Sequence, residues 1–106
     1  MEVIDQVKAL LGITDSLQDD LLSVIHDLTK SHFLVYTGDE AVPPKLEFII
    51  VEVMVSRYNR VGSEGMKSQK MEGFTMEFDL SDFERYKGVL SRQYPSLNGK
   101  AGFKML

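Results

Sequence analysis

Cysteine is absent from the chain. Disulfides, thiolate metal sites and cysteine nucleophiles are therefore excluded, and the chain fits a reducing compartment. Long apolar runs are missing too: none reaches the roughly 18–20 residues that a bilayer-spanning helix needs, so no membrane partner is expected. The opening MEVIDQVK has no secretory apolar region, and no leader is expected there. Positive charge is scarce: 12 Lys and Arg face 16 Asp and Glu, for a net charge of −4. A domain that grips DNA by its phosphates needs clustered cations, so this balance disfavours one while leaving room for local basic patches. The sequence has no nucleophile elbow, phosphate-loop lysine, dinucleotide glycine pattern or carboxylate pair of recognisable spacing. Neither an enzyme nor a cofactor is expected. His26 and His32 would point about 120° apart on a helix, which is not the one-face i, i+4 spacing of a metal-binding pair. They read as surface or partly packed side chains.

What remains is an ordinary helical core. At 106 residues the chain is one domain with room for a single core. Hydrophobic content of 43% and mean hydropathy of −0.11 belong to a globular protein. The chain is organised around PPKLEFIIVEVMVSRYNRVG, from Pro43 to Gly62. Its β-branched residues alone would suit a buried strand. The distance between breakers, about 17 residues, suits a helix instead. Pro44 fits a first helical turn and Gly62 the position just past the end. The expectation is a central apolar helix over about 44–61, in a mainly α fold, a small helical bundle.

Around it the pattern gives three further helices. In residues 2–11, Val3, Ile4, Val7, Leu10 and Leu11 recur at helical spacing, and Gly12 ends the element. A second helix should start with Thr14 or Asp15 as N-cap, bury Leu17, Leu21, Ile25 and Leu28, and stop near Tyr36 before Gly38. Later, Ser81-Asp82-Phe83-Glu84 reads as a capping box opening a last helix with Phe83, Tyr86, Val89 and Leu90 on its inner stripe. Tyr94-Pro95 should stop it. Residues 1–94 form the domain in this reading, and 95–106 a flexible tail. Between the third and last helices lies GSEGMKSQKMEG, a polar glycine-rich loop. It is followed by GFTMEFD, where Phe74, Met76 and Phe78 alternate with polar residues as in a half-buried strand. A lone strand is unstable, so this one should pair with Met66–Met71 across a hairpin or with a strand from a neighbouring subunit, giving a β-hairpin or β-strand element over about 66–78.

The specialised stretch is Arg57-Tyr58-Asn59-Arg60-Val61-Gly62-Ser63-Glu64-Gly65, with Lys67 and Lys70 beyond it. Two arginines at a helix end followed by a glycine turn could hold an anion or nucleic acid. The simpler alternative has them bonding the helix's last carbonyls or neighbouring acids. A third reading is protein contact, for which arginines beside a weakly self-packed loop are well suited. Met66 and Met71 fit the same contact reading, while Met76 fits a core.

These pieces, taken in order, resemble a known family. The helix ending LLGIT, then DDLL, YTG, PP and RYNRVGSEGMKSQKMEG with FTMEF is similar to the small head–tail connector, or head-completion, proteins of tailed bacteriophages and prophages. The likeness runs over about residues 3–90 and is most specific at Arg57-Tyr58-Asn59-Arg60 with Gly62-Ser63-Glu64-Gly65. The resemblance implies a mostly helical subunit with a small β element that forms a homo-oligomeric ring of about twelve copies. Such a ring sits beneath the portal protein, extends the DNA channel, and receives a tail or stopper protein below. DNA would pass without sequence-specific binding, which suits an acidic subunit. The location implied is the virion, after assembly in the bacterial host cytoplasm. Arg57, Asn59, Arg60, Ser63, Glu64, Met66, Lys67, Lys70 and Met71 would then make subunit or portal contacts. The competing expectation is a small nucleic-acid-binding or regulatory domain using Arg57, Arg60, Lys67 and Lys70 on phosphates. A weaker third is an interaction module that forms no ring.

Overall fold

The structure, a computed structural model, describes residues 2–61 and 80–99. Helix α1 (Val3–Leu11) ends where Gly12 turns left-handed at φ 75°. The N–H of Ile13 reaches the carbonyl of Lys8 at 2.9 Å, and that of Gly12 reaches Ala9 at 3.3 Å. This paired closure needs a positive φ that side-chain-bearing residues resist. Helix α2 (Asp19–Thr37) also ends in a left-handed glycine, Gly38 at φ 80°, here with a single bond from its N–H to the Leu34 carbonyl. A 3₁₀ turn (Pro44–Leu46) carries proline in its first turn and leads into α3 (Glu47–Arg60). The chain resumes with a 3₁₀ helix (Leu80–Tyr86), then α4 (Lys87–Gln93) and α5 (Pro95–Gly99).

Helix α3 is the centre, packed against α2 and α1. Ile49, Ile50, Val51, Val53 and Met54 are all buried, so only a narrow polar edge is left to it. Val7, Leu22, Ile25, Phe33, Phe83 and Leu90 complete the core from the surrounding elements. Phe83 is held between two aromatic rings, edge-on to Phe33 at 5.9 Å and tilted against Tyr36 at 5.7 Å between centroids, a geometry that adds to simple burial.

Four expectations are corrected. The described residues contain no strand, so the fold class there is helical alone. The β element expected at about 66–78 lies outside the described residues. Helix α2 starts at Asp19 rather than after Thr14 or Asp15, because the Asp15 carboxylate accepts the Leu17 N–H at 3.1 Å and folds that stretch into a turn. Leu17 sits in the turn, 81% exposed, and Leu22 takes the buried place instead. The expected capping box at Ser81–Glu84 is inside the 3₁₀ helix, and α4 begins only at Lys87 without a side-chain cap. The reason is periodic. Phe83 and Tyr86, three residues apart, are both buried, and a three-residue turn puts them in one row. The last long segment does stop at Tyr94-Pro95, as expected, and Pro95 opens a further short helix.

Two tyrosines tie the later elements to the earlier ones. Tyr86 donates its hydroxyl to Glu52 at 2.6 Å, and Tyr94 donates to Asp39 at 2.7 Å. Burial first, and then the carboxylate partner, push both tyrosines from their ordinary 10.0 to about 12. The sign follows from linkage. A raised folded-state pKa leaves its stabilisation intact below pH 10 and removes it as pH climbs toward 12. Alkaline unfolding is therefore expected to set in between about pH 10 and 12. In denaturant titrations followed by circular dichroism, Tyr86→Phe with Tyr94→Phe should flatten that loss. An unchanged pH profile in the double variant would contradict the assignment.

Candidate functional site

Helical spacing decides where the arginines of α3 point. Ile50, Val53, Met54 and Arg57 recur at i, i+3, i+4 and i+7, so Arg57 continues the buried stripe. It is 0% exposed, the largest fully buried side chain among the described residues. Arg60, three residues on, lies nearer the rim and is half-buried.

Burying a guanidinium is costly unless its donors are satisfied and its charge is met. Asp82 supplies the charge from the 3₁₀ helix. Arg57 Nε donates to Asp82 Oδ2 at 2.8 Å; Arg60 donates from Nη1 to Oδ1 and from Nη2 to Oδ2, both at 3.0 Å. The two oxygens thus take a fork from Arg60 while one also takes Arg57, the geometry in which arginine surpasses lysine. On the other side, α2 provides further partners. Arg57 Nη1 donates to Thr29 Oγ1 at 3.2 Å, and Nη2 lies 3.0 Å from His32 Nδ1. The face of Phe83 covers the guanidinium at 5.9 Å, adding a cation–π contact.

Asp82 carries opposing influences. Burial pushes its pKa up; the hydrogen bond from Arg60, the charge of Arg57 and the remaining arginine contacts push it down further. The net effect is a carboxyl below its ordinary 3.8, and so ionised. What the cluster does is mechanical: it locks the end of α3 to the start of the 3₁₀ helix, and both to α2.

The expected contact residues therefore divide. Arg57 is buried within its own subunit, where it meets Asp82, Thr29 and His32. Asn59 is exposed and Arg60 half-exposed. Ser63, Glu64, Met66, Lys67, Lys70 and Met71 lie outside the described residues. Among the described residues both arginines bond a neighbouring acid, Asp82. Thr29, His32 and Asp82 were not among the expected site residues. Arg57's place in the apolar repeat could have revealed its burial, but its counter-ion stands 25 residues away, beyond local pattern. His32 is partly packed, as expected, and His26 lies 3.2 Å from Asp27. Among the described residues no three His, Cys, Asp or Glu gather as a metal site, and no helix is long and apolar enough to cross a membrane.

Comparison with known families gives a clear match. A family model described as phage gp6-like head-tail connector protein covers residues 1–93. No curated protein and no solved structure matches the chain.

Proposed function

The chain belongs to the phage gp6-like head–tail connector family, and from that premise we propose that it is a ring-forming adaptor subunit seated under the portal. Membership itself makes the chain a structural component of the virion's head–tail junction rather than a catalyst. Beyond that, the subunit assembles as a closed ring, extends the DNA channel, and joins the portal above to a tail or stopper protein below. The observation that carries this reading is the family match across nearly the whole chain. The net charge of −4 supports it, because a channel that releases DNA should not be lined by dense positive charge. The engagement of Arg57 and Arg60 by Asp82 counts against their use on phosphates, and so against a nucleic-acid-binding domain. Asn59, Ser63, Glu64, Met66, Lys67, Lys70 and Met71 form the contact surface in this proposal. Arg57 and Arg60 fix the end of the helix from which that surface departs.

The test is mass in solution by light scattering over a wide concentration range, alone and with portal rings from the same virion. Ring-sized particles in either condition, or stable co-migration with the portal, are expected. A strict 12.0 kDa monomer that ignores the portal would overturn the proposal.

A further inference from the structure

Helix α2 has a second apolar row that the described residues of its own subunit leave largely uncovered. Leu21, Val24, Leu28, Ser31 and Val35 follow a 3–4 spacing, and Leu17 stands just before them in the turn. Val24 is 48% and Val35 69% exposed, and Leu21 and Leu28 are only partly covered. Such a row is the seam of a helix–helix contact. Along one edge of it run Asp20 and Asp27, both exposed and seven residues apart, with Val24 between them. Pairing two α2 helices antiparallel about this seam would bring the same acids of both copies together, so the twofold solution is opposed by like charge.

The opposite chemistry is present elsewhere on the same chain. Arg85 and Arg92 are exposed, also seven residues apart, and Gly88 lies between them. Gly88 is unexplained by the fold: a Cβ built there meets nothing within 4 Å, and its φ is not left-handed. A glycine within a helix lowers stability relative to alanine, so its use at an open position points to close approach from outside the subunit. The spacings also match. Reading α2 forward, Asp20, Val24 and Asp27 are separated by four and three residues. Reading the other segment backward, Arg92, Gly88 and Arg85 are separated by four and three. Laid antiparallel, the two rows set Asp20 against Arg92, Val24 over Gly88, and Asp27 against Arg85. The Arg85 guanidinium lies over the Tyr86 ring, 5.5 Å from its centroid. Asp27 would exchange its neighbouring His26 for the arginine.

We infer that the exposed α2 row of one copy docks on the Arg85–Gly88–Arg92 row of the next. The contact is head-to-tail, because the two surfaces differ, and a head-to-tail contact repeated around an axis closes into a ring. This deepens the adaptor reading and rests on it for the closure, while the pairwise contact stands on the two surfaces.

The chain's lack of cysteine gives a clean test. Val24→Cys and Gly88→Cys single variants are prepared, checked for native circular dichroism, and oxidised mildly alone and as a mixture. A disulfide needs Cα atoms within about 7 Å, so it reports the proposed register. The mixture is expected to yield the Val24–Gly88 crossed pair several-fold over either self-pair. Asp20→Lys with Asp27→Lys, placed in the Val24→Cys variant, should abolish the crossed product. Arg85→Glu with Arg92→Glu, placed in the Gly88→Cys partner, should restore it. Absence of the crossed pair, predominance of the Val24 self-pair, or failure of the charge swap to restore it would overturn the contact. Ring-sized mass or portal binding alongside such a failure would leave the adaptor reading standing with a different interface. Loss of both would remove the two together.

Discussion

Met54→Asp is expected to leave the chain unfolded at neutral pH and room temperature. Met54 is 0% exposed on α3, amid Ile50, Val51, Val53 and the residues that wrap them. Removing the thioether forfeits the roughly 1.5–3 kcal/mol that burial of a large apolar side chain contributes. The new carboxylate then meets an apolar setting, and it must either stay charged at a cost of several kcal/mol or take up a proton. A domain of this size has about 5–15 kcal/mol of stability in total, so the sum removes most or all of it. Met54→Leu separates charge from shape: a volume-conserving swap should cost less than about 1.5 kcal/mol. Far-ultraviolet circular dichroism with urea titration distinguishes the two. A cooperative native transition in Met54→Asp, with a midpoint near that of the parent chain, would show that α3 is not the core.

That centrality was legible because α3 announces itself locally. Pro44 opens the 3₁₀ turn that leads into it, and the apolar run is too long for a strand. Gly12 and Gly38 likewise mark helix ends by a backbone need that no other residue type meets as cheaply. Phe83, Tyr86 and Leu90 were legible as an inner stripe, though the 3₁₀ winding beneath Phe83 and Tyr86 was not, since a spacing of three fits either helix. The arginines were harder. A charged residue near a helix C-terminus has a ready surface explanation, and that explanation holds until a counter-ion is known to be near. The meeting of Arg57 with Asp82, Thr29 and His32 joins three segments that are remote in sequence. Only packing creates it, so periodicity could show that Arg57 faces inward but not what receives it. The uncovered row on α2 was hidden for the opposite reason. Leu17 looks like a core residue until Leu22, Ile25 and Phe33 are seen to occupy that place, and Leu21 and Leu28 pack against the core with one side only.

Asp82→Ala is expected to lower stability by about 3 kcal/mol, toward the lower end of the cost of breaking a buried ion pair. The substitution removes the carboxylate that accepts from Arg57 Nε and from both Arg60 Nη atoms. Thr29 and His32 still meet Arg57 from α2, which is why the higher end of the range is not reached. For a domain near this length such a loss lowers Tm by more than about 10 °C. Replacing both partners, Arg57→Met with Asp82→Ala, should recover part of it, because an apolar side chain is cheaper to bury than a charge that has lost its carboxylate. Acid should act along the same route. Asp82 has a folded pKa below its ordinary 3.8, so its contribution is complete above that value and fades as pH falls through the lower, folded one. The parent chain should therefore lose stability on acidification below about pH 4, more steeply than Asp82→Ala does. Urea midpoints measured from pH 7 down to pH 2 on both proteins provide the comparison. Parallel curves would mean that Asp82 carries no linked proton, and that the lock between α3 and the 3₁₀ helix rests on packing around Phe83 instead.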